Sequence, residues 1–243
     1  MNGPGFSFFC SWSGGKDCSL ALELTVETGA HPAALFTVLD EGGARSRSHG
    51  MTLASLQAQA EAMALPLVVR SASWKTYEDA FVDGLSELSG MGILDGVFGD
   101  MIVAAHPEWI AHRQWVERVC GGQGITPHLP LWKLGGHAAL DSLLGHKIRA
   151  VIVMTRAAAL DNSFLGRELD AACVADLEAA GCDPTGEGGE FHTAVFHAPQ
   201  FARPLALETG NVTEHDGCRF LDVRLSLPSS DDASMPAGNL SCT

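Results

Sequence analysis

Two stretches of this sequence concentrate residues able to do chemistry. Near the amino end, Ser13-Gly14-Gly15-Lys16-Asp17 lies where an aromatic strand gives way to a periodic helix. The first amides of such a helix converge on one point, and glycines let a polyanion approach them, so the geometry suits phosphate. It is not a Walker A loop, because Lys16 is followed by Asp17 and not by Ser or Thr, and Gly-x-Gly-x-x-Gly is absent. Near the other end, Asp183-Pro184-Thr185-Gly186-Glu187-Gly188-Gly189-Glu190-Phe191-His192-Thr193 feeds a glycine loop into a strand. Strand alternation puts Glu190 and His192 on one face and Phe191 on the other. A carboxylate beside an imidazole orients it and raises its pKa, which suits proton transfer or cation binding.

The first stretch resembles the pyrophosphate loop of the N-type ATP pyrophosphatase superfamily, Ser-Gly-Gly-x-Asp-Ser after the first strand. That resemblance implies that Ser13, Gly14, Gly15 and Asp17 grip the pyrophosphate of ATP or its Mg²⁺, with Asp17 as the metal ligand, while Lys16 adds positive charge. Cys18 stands where the superfamily has its final Ser, although Ser19 follows. Either the position needs only a small side chain, or a hydroxyl contact to phosphate is lost.

The second stretch resembles the Gly-Glu-x-Gly-Glu-Phe-His-Thr signature of the diphthine-ammonia ligase family, a branch of the same superfamily. Ser46 to Gly50 with His49, Gly99-Asp100, His112-Arg113 with Trp115, Pro130-Leu131-Trp132 and Leu165-Gly166-Arg167 follow in that family's order, so the resemblance covers about residues 6 to 225. It implies that ATP is broken between its α and β phosphates. A carboxylate on a small substrate or a modified protein side chain attacks the α phosphorus, and ammonia then displaces AMP. Lys16 and Asp17 would act on the phosphates, and Glu187, Glu190 and His192 would position the acceptor or ammonia. Backbone near Leu35, Phe36 and Thr37 would read the adenosine, with His49, Gly99 and Asp100 completing the nucleotide contacts. In that family the acceptor is diphthine, a modified histidine of an elongation factor in eukaryotes and archaea. The Ala- and Gly-rich composition, poor in Lys, Tyr and Asn, is typical of high-GC bacterial genomes and leaves the acceptor open. Two other readings share the loop: a nucleotide sensor without turnover, and a tRNA-thiolation enzyme, which fits less well without a basic stripe or paired cysteines.

The elements that must hold these residues alternate. Strands are expected at Phe6 to Trp12, Ala33 to Leu39, Leu67 to Arg70 and Gly96 to Phe98. Helices are expected at about Lys16 to Thr28, Met51 to Ala64, Thr76 to Leu88 and, after Pro107, Glu108 to Cys120. This rhythm predicts an α/β, Rossmann-like, doubly wound parallel sheet with ligands beyond the carboxyl ends of its strands. A composition shift near residue 125 suggests an ATP-binding domain over 1–125 and a smaller α+β substrate domain over 126–225. The latter holds helices at about His137 to Leu144 and Arg167 to Ala180, and strands at Ala150 to Met154, Phe191 to Phe196, Pro204 to Glu208 and Phe220 to Leu225, with Asp216-Gly217 as a hairpin turn. Residues 226–243 read as a disordered tail.

Acidic residues outnumber basic ones 29 to 15, a formal charge of −14, which repels phosphate backbones and disfavours a nucleic-acid partner. Seven cysteines without a Cys-x-x-Cys pair point to free thiols in a reducing compartment. No stretch nears the roughly 20 apolar residues of a membrane helix, and the apolar run Phe6 to Cys10 is too short for a signal peptide. The expectation is a soluble cytoplasmic protein with no membrane partner, for which a homodimer is one allowed assembly. His106 and His112 do not form His-Glu-x-x-His and read as satisfied surface or core groups, and Trp109 and Trp115 read as packing.

Overall fold

The protein is described by a computed structural model over residues 5–102 and 108–228, with the side chains of residues 108 and 109 not described. His106, the helix-starting Pro107, the Trp109 ring and the tail beyond residue 228 lie outside the described residues. Five parallel strands form the first sheet: β1 (Ser7–Ser11), β2 (His31–Leu39), β3 (Leu67–Ser71), β4 (Asp95–Val97) and β5 (Thr126–His128), in the order β3-β2-β1-β4-β5. Helices α1 (Lys16–Glu27), α2 (Leu53–Ala62), α3 (Tyr77–Gly90) and α4 (Glu108–Gly121) connect them.

Both faces of this sheet are covered, and β1 shows why. Phe8 and Phe9 are fully buried neighbours in sequence, yet each belongs to a different apolar cluster. Phe8 joins Leu20, Leu56 and Val153, whereas Phe9 joins Phe36, Phe81, Phe98 and Val116. Alternate strand side chains point to opposite faces, so a strand covered on both sides reads as continuously apolar. Strand order reverses at β1, with β2 on one flank and β4 on the other, which opens a crevice at its carboxyl end.

The boundary expected near residue 125 falls inside this sheet. Thr126–His128 pairs with β4, and the Phe98 amide donates to the His128 carbonyl at 2.9 Å. Pro127 is tolerated there because β5 is an edge strand.

The second sheet is antiparallel, with β6 (Arg149–Arg156), β7 (Phe191–His197), β8 (Ala206–His215) and β9 (Cys218–Ser226) in the order β7-β6-β9-β8. Helices α5 (Gly136–Gly145) and α6 (Ala171–Ala179) accompany it. The helix expected from Arg167 starts later, because the Asp170 carboxylate accepts the Cys173 amide as an N-cap. Asp216 and Gly217 both adopt positive φ, as the β8–β9 hairpin turn requires. Val153, Val195 and Leu225 of this sheet share the larger apolar cluster with Phe8 of the first sheet and Leu20 of α1, so the two sheets are held by one core. Helix α2 seats β9 directly: Ser55 Oγ accepts the Leu225 amide at 3.1 Å and donates to the Val223 carbonyl at 3.4 Å. Among the described residues no helix is long and apolar enough to cross a membrane.

Candidate active site

The loop after β1 turns at the crevice and starts α1 with Gly15 as an extended N-cap. Three glycines let other segments close on this helix start. A Cβ on Gly14, whose φ is +82°, would lie 2.7 Å from Met51 Sδ; one on Gly15 would lie 2.3 Å from His49 Cε1. One on Gly99, after β4, would lie 2.7 Å from the backbone of Asp17 and Cys18. Cys18 is buried, and its thiol donates to the Gly15 carbonyl at 3.2 Å and accepts from Ser13 Oγ at 3.4 Å. Its sulfur is thereby committed to the loop's own shape, and burial pushes the thiol pKa up.

Lys16 is only 6% exposed. Its Nζ lies 2.8 and 2.7 Å from the two carboxylate oxygens of Asp17 and 3.6 Å from Glu187 Oε1. Burial works to lower its pKa, but the Asp17 and Glu187 charges and the Asp17 hydrogen bond together hold it above the usual lysine value. Glu187 fares differently from the same contact: burial, then the Asp17 charge, pushes its carboxyl up to about 8 against the pull of Lys16. Asp17 takes the ammonium with both oxygens, and the longer Glu187 contact leaves that carboxyl the weaker claimant. Asp100 also faces this group and is 3.1 Å from His112 Nε2; its hydrogen bond raises the His112 pKa.

Beside them, the rings of His49 and His192 lie 4.6 Å apart. His49 Nδ1 is 2.7 Å from the Thr193 carbonyl, which can only accept, so Nδ1 carries the proton and Nε2 keeps its lone pair. Burial lowers both pKa values, His192 furthest, and the neighbouring Lys16 charge works in the same direction. Two neutral imidazoles therefore flank the loop at neutral pH.

Strand β7 is clamped along the loop. The Lys16 amide donates to Thr193 Oγ1 at 3.0 Å, and the Val195 amide donates to the Gly14 carbonyl at 2.9 Å. Gln59 Nε2 donates to the Gly14 and Val195 carbonyls at 3.0 and 2.7 Å, and Gln59 Oε1 accepts the Trp12 indole N–H at 2.8 Å. Neither Gln59 nor the role of Thr193 emerges from the sequence reading. A polar residue among Leu56, Ala58, Ala60 and Ala62 of α2 was the available signal, since Gln59 is fully buried with them.

A cavity of about 740 Å³ runs from Ser13, Lys16 and Asp17 to an aromatic wall of Tyr77, Phe81 and Trp115. Phe36, Thr37, His49, Gly99, Asp100, Glu187 and His192 also line it. Four expected residues do not: Gly14, packed against Met51 and Gln59, Gly15, packed against His49, and then Leu35 and Glu190. Leu35 is fully buried, with its amide given to the Pro66 carbonyl, so it is part of the sheet and the core. The open backbone lies further along: Trp12 N–H takes the Phe36 carbonyl at 2.7 Å and β1 ends at Ser11, so Val38, two residues on, faces the cavity past the end of β1. Glu190 does not line the cavity; one of its carboxylate oxygens is buried and unpartnered among the described residues, and burial, then the Glu190 charge, raises the pKa of Cys182. Phe191 lines the cavity instead, 5.9 Å from Lys16 Nζ. Strand β7 begins only at Phe191, so alternation does not extend back to Glu190.

Among the described residues no group of three or more His, Cys, Asp or Glu side chains is set to hold a metal ion. Mg²⁺ characteristically takes one or two carboxylates and completes its shell with water and substrate phosphate, and Asp17 at the loop fits that pattern.

Two family patterns match the chain, the diphthamide synthase N-terminal domain over residues 8–127 and the diphthamide synthase C-terminal domain over residues 139–225. The chain belongs to the diphthamide synthase family. The first pattern ends at residue 127, within β5, and the second begins at residue 139, within α5. The chain is 29% identical over 178 residues to a protein of Bos taurus named diphthine–ammonia ligase, covering 68% of this chain and 66% of that one. It is 26% identical over 181 residues to the Mus musculus protein of the same name, with the same two shares. The chain thus spans just under two thirds of the length of these family members. A solved chain from Methanocaldococcus jannaschii, described as a predicted subunit of tRNA methyltransferase, aligns over 80% of this chain and 98% of its own at 18% identity, with a TM-score of 0.42 that supports no conclusion about this protein.

Proposed function

We propose that this protein is an ATP-dependent, AMP-forming amide ligase of the diphthine–ammonia ligase type, which activates a carboxylate with ATP and amidates it with ammonia. The observation that carries the reading is the clamp between the two signatures: the Thr193 hydroxyl receives the Lys16 amide, and Glu187 and His192 line the same cavity as the phosphate loop.

In this reading the phosphates of ATP lie against the start of α1 and Lys16, with Arg156 on the cavity wall near Glu187. Asp17 would hold Mg²⁺, which would supply charge neutralisation for a departing pyrophosphate. The acceptor carboxylate attacks the α phosphorus, the bond to the bridging oxygen breaks, and pyrophosphate leaves. Ammonia then attacks the activated carbonyl carbon and AMP departs with the bonding electron pair. Ammonium must shed a proton before it can attack, and His49 Nε2, as a neutral base, is available to take it. The adenosine lies toward Phe36, Thr37 and Val38, and the wall of Tyr77, Phe81 and Trp115 excludes water. The reading expects a cytoplasmic protein acting without nucleic acid or membrane, as a monomer or homodimer, on a small carboxylate or a modified protein side chain.

The test supplies ATP, Mg²⁺ and ammonium with a panel of carboxylic acids, including a diphthine-bearing protein, and measures AMP, pyrophosphate and amide. Equal amounts of the three products with one acceptor, lost in Lys16→Ala, are expected. ATP binding with no AMP formation across the panel would instead identify a nucleotide sensor.

A further inference from the structure

In a chain of formal charge −14, cations are normally neutralised by neighbouring carboxylates. Arg45, Arg70, Arg113, Arg118, Arg149 and Arg167 each form such an ion pair. The two arginines that line the cavity, Arg47 and Arg156, have no carboxylate partner among the described residues; each is held by a backbone carbonyl, that of Ala72 for Arg47 and that of Gly188 for Arg156. Arg156 stands in the region of Gly188, Gly189 and His192, where the phosphates are accounted for. Arg47 is unexplained by the nucleotide.

Its guanidinium carbon lies 4.3 Å from the centroid of the Trp74 ring and 5.6 Å from that of Tyr77. Stacking fixes the plane of the group through its faces and consumes none of its N–H donors. One terminal nitrogen donates to the Ala72 carbonyl, while Nε is buried and has no partner among the described residues. A guanidinium has five donors in a rigid fork, and a buried N–H left unmet is costly. What answers an oriented fork with an unmet donor is a planar anion able to accept two parallel hydrogen bonds, and a carboxylate has that shape. Arg47 also stands two residues before His49, whose ring packs on Gly15, so its loop borders the phosphate site.

We propose that Arg47, stacked on Trp74 and Tyr77, is the specificity-determining receptor for the carboxylate of the second substrate. The word substrate rests on the ligase reading, but the existence of a carboxylate seat does not. Trp74 is 79% exposed and in contact with the group, so it is also the reporter.

Indole fluorescence of the full chain is titrated with acetate and glutarate, and with acetamide and glutaramide, with and without saturating AMP; Trp74→Phe identifies the Trp74 contribution. Saturable responses to the acids and none to the amides are expected. Arg47→Gln should weaken glutarate by about tenfold or more and leave AMP affinity within about twofold, as expected for a group that does not touch the nucleotide. Arg47→Lys, which keeps the charge and loses the fork, should recover only part of the affinity and guards against a Gln variant that does not fold. Equal responses to acids and amides, unchanged glutarate affinity in both variants, or a matching loss of AMP affinity would each overturn the proposal. Failure of the ligase reading looks different: AMP does not bind, while the glutarate response and its dependence on Arg47 persist.

Discussion

The two sheets present backbone to one cavity in opposite ways. The parallel sheet does it at its strand ends, where Ser13 to Asp17 form a continuous stretch whose first amides have no partner within the helix that is starting. The antiparallel sheet does it along the length of a strand: β7 lies beside the loop and offers Thr193 and Val195 to Lys16 and Gly14. The glycine loop is therefore not self-sufficient. One of its amides and one of its carbonyls are satisfied by residues about 180 positions away, so the shape of the loop and the closure of the two sheets are physically coupled.

Breaking that coupling should have its largest effect at Gln59. It is fully buried and satisfies the Trp12 indole and the Gly14 and Val195 carbonyls. Gln59→Leu leaves those groups with fewer partners, and at roughly 1 to 3 kcal/mol per unmet buried group urea unfolding should show a loss of about 3 kcal/mol. A loss under about 0.5 kcal/mol, the range of ordinary surface changes, would mean the halves are joined by the apolar core alone. Thr193→Val keeps the shape but strands the Lys16 amide, for a smaller loss of about 1 kcal/mol in the same measurement. Because that amide belongs to the helix start, ATP affinity by calorimetry should fall too; unchanged affinity would separate clamp from site.

The smallest effect sharpens the electrostatic side. A carboxyl with a raised folded pKa binds its proton more tightly folded than unfolded. The stability Glu187 contributes is therefore present below the ordinary carboxylate pKa and lost as pH rises toward its folded value of about 8. The two lowered imidazoles act with the opposite sign, favouring unfolding as pH falls through the ordinary histidine range. Glu187→Gln removes only the first contribution, so its Tm advantage over the parent should grow from pH 5 to pH 8. A constant difference would show that Lys16 holds Glu187 ionised throughout.

Much of the architecture was legible in order of residues alone. The parallel half followed from apolar strands and periodic helices, because each β-α unit is encoded in about thirty contiguous residues. Expectations slipped where neighbours in space decide the outcome. Thr126-Pro127-His128 reads as the start of something new because Pro and a composition change interrupt the pattern, and only pairing with β4 makes it the fifth strand. Glu190 was expected beside His192 because alternation was extended one residue past the start of β7. Leu35 was expected near the nucleotide because the resemblance sets adenosine against backbone near Leu35 to Thr37, and only the pairing of β2 with its neighbours shows that Leu35 is spent inside the sheet.

The chemical inventory, then, belongs to the sequence: the glycine turn before α1, the carboxylates and imidazole of the second loop, and the alternation that makes a doubly covered sheet, all set by local conformational preference and the sorting of apolar from polar residues. Tertiary structure alone decided which of them meet. Lys16 beside both Asp17 and Glu187, two imidazoles kept neutral, and an arginine stacked on Trp74 without a carboxylate all depend on burial and on distances between segments remote in the chain. Charge interaction and desolvation follow distance in space, and separation along a sequence does not report it.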